Sequence, residues 1–483
     1  MEEEKRKKLK LTGKQLRAIG YPEGPVISIA MNLMQKYYKH ESVDNALILL
    51  EKILKSPEDH KDDPELGFIA KQFLPPSEND KEGTPIELKE SGIIFKIYGE
   101  EHIDDVAISQ MQNASRLPIA VAGALMPDAH PGYGLPIGGV LATENAIIPY
   151  GVGVDIGCRM CLSIFDINPK ELGERIPFYS RELNEATLFG TGRQFETFRD
   201  HEILSRKEFD EIEMLRSLKD RAAYQLGSSG SGNHFVEFGE VEITEKDPIL
   251  NVAPGKYVGL LSHSGSRGLG ATIANHYTKR AKEKIKLQGE AGNLAWLHLN
   301  EEEGIEYWLA MNLAGDYASA NHHIIHAKIA KQLGRQPIRL VENHHNFAWK
   351  EIHQGRELIV HRKGATPAGK NVLGIIPGSM TAPGFIVLGR GDESSLNSAS
   401  HGAGRQLSRS VALKSITQEK LNAKLEKHGV TLIGGGLDEA PFAYKDINEV
   451  MRSQENLIDI VGKFIPKIVK MDNSSPVRSR KRK

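Results

Sequence analysis

The sequence predicts an α/β (α+β) protein. After about residue 88, short apolar runs of strand length alternate with longer segments that have the periodicity of helices. Gly accounts for 47 of the 483 residues, above the usual share of about 7%, so many positions need a left-handed backbone or a close approach to another group. No segment recurs at a fixed period, which argues against a solenoid.

The elements follow in chain order. An apolar stripe at helical spacing predicts a helix within residues 27–55, and the Pro- and charge-rich segments 56–65 and 75–87 have the composition of linkers. The predicted domains are a helical extension with its linker over 1–88, a single catalytic domain over 89–471, and a basic disordered tail over 472–483. The strands predicted for the body are 92–98, 161–166, 257–262, 357–361 and 385–388, and the helices are 206–226, 269–287, 302–334 and 446–462.

Charge and cysteine content exclude several classes of protein. The chain has 62 Lys and Arg against 63 Asp and Glu, a net charge of −1, so a nucleic acid would have to bind to a local basic patch. Two Cys residues three positions apart cannot form a secreted disulfide scaffold. Neither a secretory signal nor an apolar run of membrane-spanning length occurs. We therefore expect a cytoplasmic protein with no membrane partner.

Asp155 and Cys158 lie three residues apart in the glycine-rich segment VGVDIGC. In a tight glycine turn both side chains can point to one metal ion, and a thiolate can bridge two ions. Taken alone, these two residues fit better a free core Cys beside a turn Asp.

Four histidines occur in similar glycine-, serine- or asparagine-rich settings, which are typical of loops and strand ends that carry function. They are His234, His263, His345 and His401. Together with Asp155 and Cys158 they make a metal site as plausible as a structural role. Imidazole and thiolate favour Zn, Co or Cu and carboxylate favours Mn or Mg, so the ligand types leave the metal open.

Two patterns resemble metal motifs without completing them. Cys158 and Cys161 spell CxxC, but no second pair exists, and Cys161 opens an apolar strand, so we expect it to be buried. His322, His323 and His326 have zincin-like spacing, but the required Glu is absent. For this cluster we expect a solvated or RNA-facing helix surface.

Two glycine-rich loops are candidates for anion binding. Backbone N–H groups of Pro377–Met380 and of Gly402–Arg405 could surround a phosphate, and Arg405 could bind it with two donors. Neither loop is a P-loop, because the chain contains no GxxxxGK[ST] pattern.

Taken together, these segments resemble the RtcB-type RNA ligases. The shared blocks are MPDAHPGYGLPIGGV, YGVGVDIGC, GSGNHFVE, SHSGSRGLG, HHN, GATPA, GIIPGSM and SASHGAGRQLSR. They occur in the family's order over roughly residues 92–470. Eight blocks in order are far more specific than any one of them.

The resemblance implies one active site on an RtcB-like α/β fold. It implies GTP-dependent joining of an RNA 3′-phosphate or 2′,3′-cyclic phosphate to a 5′-hydroxyl, through GMP attached to His401. Two manganese ions would be bridged by Cys158, with Asp155 and His234 on one ion and His263 and His345 on the other. The residues implied to hold the guanylate are Asn233, His234, Asn346, Pro377, Gly378, Ser379, Met380, His401, Gly402, Ala403, Gly404 and Lys470.

The implied partners are GTP, RNA with these ends and an archease-like activator, in RNA repair or tRNA splicing. Two alternatives stay open: a metal-dependent phosphohydrolase acting on RNA ends, and a catalytically silent RNA-binding paralogue.

The chain departs from the family pattern at three places. Arg159 replaces a small residue and is expected to put a charge beside the metals, and Thr381–Gly384 lacks a Ser expected to contact guanine. The chain also continues past Lys470, the candidate for a guanine-contacting terminal Lys. These changes are typical of a divergent paralogue.

Overall fold

The computed structural model describes residues 9–22, 25–74 and 84–473. Most of the predicted linker over 75–87 and of the predicted basic tail over 472–483 lies outside these residues.

The N-terminal segment folds into short helices around a core of its own. The helices are α1 (Gly13–Ala18), α2 (Pro25–Tyr37), α3 (Val43–Lys55), α4 (Pro57–His60) and α5 (Gly67–Lys71). The helix predicted within 27–55 is therefore two helices, and Ser42 caps the second by accepting a hydrogen bond from the backbone N–H of Asn45. Leu16 and Leu50 are buried in this core, which also packs against Ile305 of the body.

The body contains helices on both sides of its sheets. They are α6 (Asp105–Ser115), α7 (Pro149–Val152), α8 (Lys170–Glu174), α9 (Ile176–Ala186), α10 (Glu208–Glu211), α11 (Glu213–Arg216), α12 (Lys219–Gln225), α13 (Arg267–Lys284), α14 (Glu302–Leu333), α15 (Arg409–Ser415), α16 (Gln418–His428) and α17 (Ile447–Arg452). The predictions for α13 and α14 are confirmed, whereas the helix predicted over 206–226 is three short helices. None of the helices in the described ranges has the length and apolarity needed to cross a membrane.

The strands are more numerous than predicted. They are β1 (Thr84–Pro85), β2 (Lys96–Ile97), β3 (Ala120–Tyr133), β4 (Leu135–Thr143), β5 (Ala146–Ile147), β6 (Arg159–Phe165), β7 (Phe235–Ile243), β8 (Gly255–Ser264), β9 (Ile285–Lys286), β10 (Leu297–His298), β11 (Arg339–His344), β12 (Asn346–His353), β13 (Arg356–Lys363), β14 (Ala365–Pro367), β15 (Leu373–Ile376), β16 (Gly384–Gly389), β17 (Ser398–Ser400), β18 (Thr431–Ile433) and β19 (Ile458–Met471).

Two of the sequence predictions for these elements are wrong. The helix predicted over 446–462 ends at Arg452, because the residues after it join β19 and pair with β7 and β16. Of the strand predicted over 92–98, only Lys96–Ile97 is paired. In both cases pairing with distant strands overrides the local pattern.

The largest sheet has eight strands in the order β11-β6-β8-β7-β19-β16-β15, with β18 paired to β19. Met160, His263 and Phe235 stand opposite one another on β6, β8 and β7, so their side chains share one face, which we call the front. Neighbours such as Cys161 and Ser262 project to the other face, the back. Helix α14 packs on the back, where His322 and His326 contact Ser262.

A second sheet, ordered β12-β13-β4-β3-β2, brings the MPDAH block next to the front of the first. Asp128 lies within β3, and β14 pairs with β17, which ends directly before His401. The antiparallel pair β3 and β4 carries register shifts between Leu125 and Tyr133. These irregularities allow a Pro- and Gly-rich segment to run through a sheet.

Candidate active site

A cavity of about 1210 Å³ lies between the front of the large sheet and the second sheet. Its wall includes every implied metal ligand, His401, Asn233, Asn346, and both glycine-rich loops, Pro377–Met380 and Gly402–Gly404. Lys470 is the exception among the predicted site residues. Side chains from segments that lie far apart in the sequence therefore meet in one cavity.

The five implied metal ligands form two groups that share Cys158. In the first, Nε2 of His234 lies 3.0 Å from Oδ2 of Asp155 and 3.4 Å from Sγ of Cys158. In the second, Nε2 of His263 lies 3.2 Å from the same sulfur and 3.2 Å from Nε2 of His345. A shared thiolate between two such groups is an arrangement in which one sulfur could bridge two ions.

The chemical state of the imidazoles fits metal ligation. Nδ1–H of His263 donates to the carbonyl oxygen of Asn233 at 3.0 Å, which leaves its Nε2 unprotonated and directed at Cys158 and His345. Burial, followed by the charge of His234, lowers the pKa of His263 to about 3, and burial holds the pKa of His345 well below its usual range. Neutral imidazole is the form that binds metal.

Cys158 is buried, and burial, followed by the charge of Asp155, raises the pKa of its thiol well above the usual range. A bound cation would have the opposite effect, since metal coordination deprotonates a thiol. The residues therefore fit a metal centre with one carboxylate, one thiolate and three imidazoles.

His401 lies beside this centre, and its ring centroid is 4.9 Å from that of His345. Nδ1–H of His401 donates to Oδ2 of the fully buried Asp128 at 2.6 Å, and the backbone N–H groups of His401 and Gly402 donate to the same oxygen. This bond fixes the proton on Nδ1, so Nε2 keeps its lone pair for attack on an electrophile.

Sequence reasoning missed Asp128, although it lies in the MPDAH block. Gly404 explains the closeness of the two segments: its φ is +72°, and a Cβ there would lie 2.1 Å from the carbonyl oxygen of Asp128. Only Gly allows this approach. The signal available in the sequence was an Asp in an apolar strand segment, together with Gly404 three residues after His401.

Glu237 is a second residue that the sequence did not single out. It is buried in β7, lines the cavity, and has its pKa raised well above the usual range by burial. A buried carboxyl group in a ligand cavity is a candidate for recognising hydrogen-bond donors of the ligand.

Two Arg residues of the shared motif blocks, Arg405 and Arg267, differ in position. Arg405 lines the cavity and pairs with Glu439 at 3.1 Å. Arg267 lies outside the cavity lining, and its guanidinium donates to the carbonyl oxygen of Gly190 and to Oγ of Ser228. Of these two Arg residues, Arg405 borders the cavity, where its guanidinium also donates to the carbonyl oxygens of Leu407 and Asp438.

Lys470 lies outside the cavity lining, and its guanylate contact stays a prediction. The register of β19 shifts between Pro466 and Ile468, and the extra residue reverses the alternation of side chains. Pro466 therefore faces the cavity and Lys470 faces the back. Its Nζ donates to the carbonyl oxygens of Leu183 and Thr187, at the C-terminal end of α9.

This position predicts a pH-dependent stability. Burial, followed by the charge of Lys328, lowers the pKa of Lys470 to about 8 from an unfolded value of 10.5. Between these pH values the unfolded chain binds more protons than the folded chain, so the contribution of Lys470 to the free energy of unfolding increases with pH. In denaturant titrations, Lys470→Met should flatten this increase, and an unchanged profile would mean that the ammonium group is hydrated.

Arg159 holds its guanidinium on the side of β6 away from the cavity, although its charge still acts on the neighbouring Cys158 thiol. It follows Cys158 on β6 and therefore projects to the back, where it donates to the carbonyl oxygen of Gly315 at 2.8 Å and pairs with Glu342 at 3.3 Å.

The histidines of α14 also differ from expectation, since His322 and His326 are buried. Oγ of Ser262 lies 2.6 Å from Nδ1 of His322 and 2.7 Å from Nε2 of His326, and Oγ of Ser163 lies 2.8 Å from Nδ1 of His326. We call these four residues the back network. His323, which pairs with Glu342, is the exposed member of the helix cluster, and Cys161 is buried as predicted.

Comparison with known proteins gives one family. The family model described as "tRNA-splicing ligase RtcB" matches residues 110–212 and 189–471. The "RNA-splicing ligase RtcB" of Escherichia coli (strain K12) is 33% identical over 387 residues, covering 74% of this chain and 91% of that protein. The "tRNA-splicing ligase RtcB" of Nanoarchaeum equitans is 32% identical over 439 residues, with 76% and 92% covered. The eight blocks, the fold and these matches agree, and the chain belongs to the RtcB family.

Proposed function

We propose that the protein is a GTP- and manganese-dependent RNA ligase that joins an RNA 3′-phosphate or 2′,3′-cyclic phosphate to a 5′-hydroxyl. One observation carries the proposal: two groups of ligands share Cys158, and His401 stands beside them with Nδ1–H on Asp128 and Nε2 free. The relatives' names, RNA-splicing and tRNA-splicing ligase, support the RNA substrate.

The proposed reaction has three transfers. Nε2 of His401 attacks the α-phosphorus of GTP, so that a P–N bond forms, the α–β P–O bond breaks and pyrophosphate leaves. An oxygen of the RNA 3′-phosphate then takes the GMP and frees His401. Finally, the 5′-hydroxyl attacks the activated 3′-phosphorus and GMP leaves. A 2′,3′-cyclic end would first be opened by water to a 3′-phosphate.

The chain's own residues orient these transfers. Asp128 holds the His401 ring and its proton, while the backbone N–H groups of the two glycine-rich loops, apart from that of Gly402, which donates to Asp128, would donate to the phosphate oxygens of the guanylate. Asn346 bridges the two sides of the site by donating to the carbonyl oxygen of Asp155 and accepting from the N–H of Gly364. Bound manganese ions, held by the five ligands, would neutralise phosphate charge.

We place this activity in the cytoplasm, in RNA repair or tRNA processing, with an archease-like protein as a candidate activator. Incubation with α-labelled GTP and Mn²⁺ should leave acid-labile label on the protein, and an RNA with a 3′-phosphate should discharge it. Addition of a 5′-hydroxyl RNA should then give a joined product. Release of inorganic phosphate from RNA ends without GTP would indicate the phosphohydrolase instead. Tight RNA binding without bound metal would indicate the silent paralogue.

Glu237 gives a test of nucleotide choice. The Watson–Crick edge of guanine presents N–H donors, which would favour the ionised carboxylate of Glu237 against the burial that raises its pKa in the free protein, whereas adenine offers an acceptor at the corresponding ring nitrogen. Glu237→Gln should therefore lower the kcat/KM for GTP by about tenfold or more, the cost of a lost hydrogen bond to a charged group. The ratio of GTP to ATP in competition assays measures the effect. An unchanged ratio would show that Glu237 does not contact the base.

A further inference from the structure

A group of cations lies on the surface beside the loop that leads to His234, outside the residues that line the cavity. We call the surface formed by Arg193, Phe198, Arg199 and Lys328 the basic shelf. Within the described ranges, none of its three cations forms an ion pair. The carboxylate that acts on Lys328, Glu185, lies 4.0 Å from Arg181.

The shelf is attached directly to the loop that positions two site residues. The N–H of Ser229 donates to the carbonyl oxygen of Leu188 at 2.8 Å, and the N–H of Gly190 donates to that of Gly230 at 3.2 Å. Gly230 in turn packs so closely against His234 that a Cβ there would lie 2.0 Å from Nδ1 of the imidazole. The segment that leads into the shelf therefore borders the Asp155 and His234 side of the cavity.

The shelf side chains are held in place by neutral groups. The guanidinium of Arg199 stacks 4.2 Å over the ring of Phe195, and its backbone N–H donates to the carbonyl oxygen of Ala223. Nζ of Lys328 donates to the carbonyl oxygen of Glu185. Phe198 is 63% exposed, with one edge contact to Tyr224. These neutral partners orient the cationic side chains but do not neutralise their positive charge.

The electrostatics favour a polyanion. Burial and then the charge of Arg199 lower the pKa of Lys328, which shows that the two cations lie near each other. Glu185 offsets part of the charge of Lys328, but the two neighbouring cations still repel each other, and a bound phosphate chain would relieve the repulsion. Glu196 and Asp200 in the same segment are exposed, so charge alone supplies only part of the affinity. The exposed ring of Phe198 supplies the rest, since unpaired bases stack on aromatic side chains.

We propose that the basic shelf binds the single-stranded RNA adjoining the end that enters the cavity. This inference rests on the proposed function and extends it, because it assigns a binding surface outside the site of phosphate transfer. Duplex RNA stacks its bases internally and offers no base face to Phe198, so the shelf should favour single strands.

Direct binding tests the proposal without relying on ligation. The probe is a fluorescent single-stranded RNA of about 20 nucleotides with a 3′-phosphate, titrated by anisotropy in the absence of GTP. The double substitution Arg199→Gln with Lys328→Gln should weaken binding several-fold and flatten the slope of log K against log salt by about 1.4, since each phosphate contact on a single strand contributes about 0.7. Phe198→Ala should weaken binding about tenfold and leave the slope unchanged.

A matched control is available at the far end of the large sheet. Lys246 and Lys463 are exposed, and replacing both with Gln removes the same charge away from the shelf. Binding by this control should equal that of the wild type. Wild-type affinity in the shelf variants, or an equal loss for duplex RNA, would overturn the proposal. Attachment of GMP needs no RNA, so all variants should keep it. Loss of RNA binding in the shelf variants of a chain that never takes GMP would refute the ligase function and leave the shelf standing.

Discussion

Replacing His401 with Ala is expected to abolish the attachment of GMP, because it removes the Nε2 atom that is proposed to attack the α-phosphorus of GTP. The more informative variant is Asp128→Asn, which keeps the shape of the side chain. An Asn amide can donate to Nδ1 of His401 and so move the ring proton to Nε2, the attacking atom. A wrong tautomer of this kind lowers the rate of a His-dependent enzyme by about 10⁴, and we expect a similar loss.

The initial rate of label transfer from α-labelled GTP measures both effects. His428→Ala is a suitable control, because His428 lies on α16 outside the cavity lining and should label at the wild-type rate. If His401→Ala labels like the wild type, the proposed nucleophile is wrong. If Asp128→Asn does so, the hydrogen bond to Nδ1 does not set the tautomer.

The second large effect is expected for Cys158→Ser. Serine has nearly the same shape, but its hydroxyl is a much weaker donor for these metals and stays protonated. Since both ligand groups include Cys158, one substitution should weaken both ions. Loss of an outer-shell partner already lowers metal affinity by about 10- to 100-fold, so we expect more than about 100-fold here.

Metal content per chain, measured by elemental analysis after dialysis against Mn²⁺, reports this effect independently of activity. The chain's other cysteine is a natural control: Cys161 is buried on the back, and Cys161→Ala should keep the metal. Retention of two ions by Cys158→Ser would contradict the bridging role. Equal metal loss from Cys161→Ala would indicate that the effect is one of general destabilisation.

The sequence predicted the members of the site better than their orientation. The motif blocks identified side chains that the fold brings into one cavity, because most blocks sit at a strand end or a loop bordering it and the MPDAH block lies within β3 beside it. Asp128 was missed because its contact with His401 joins residues 273 positions apart. The side chain of Lys470 points away from the cavity because a single bulge in β19 reverses the side of the sheet, and no local pattern marks that bulge.

Secondary structure failed where pairing decides the outcome. The residues of β3 and β19 contain Pro or Gly at positions that look unsuitable for strands, yet distant partners and register shifts accommodate them. The sequence predicted a solvated or RNA-facing helix surface for His322 and His326, and a position beside the metals for Arg159. The fold instead buries them with specific polar partners on the back of the large sheet.

The back network has a consequence for strand register. Along β8 the sequence reads Ser262, His263, Ser264, so a slip of one residue would replace the imidazole in the cavity by a hydroxyl. An apolar back face would tolerate such a slip more easily. Here, a slip would leave the buried rings of His322 and His326 without the hydroxyl of Ser262, a loss of about 1–3 kcal/mol for each unsatisfied group. Helix α14 therefore stabilises β8 in one register, the register in which His263 faces Cys158.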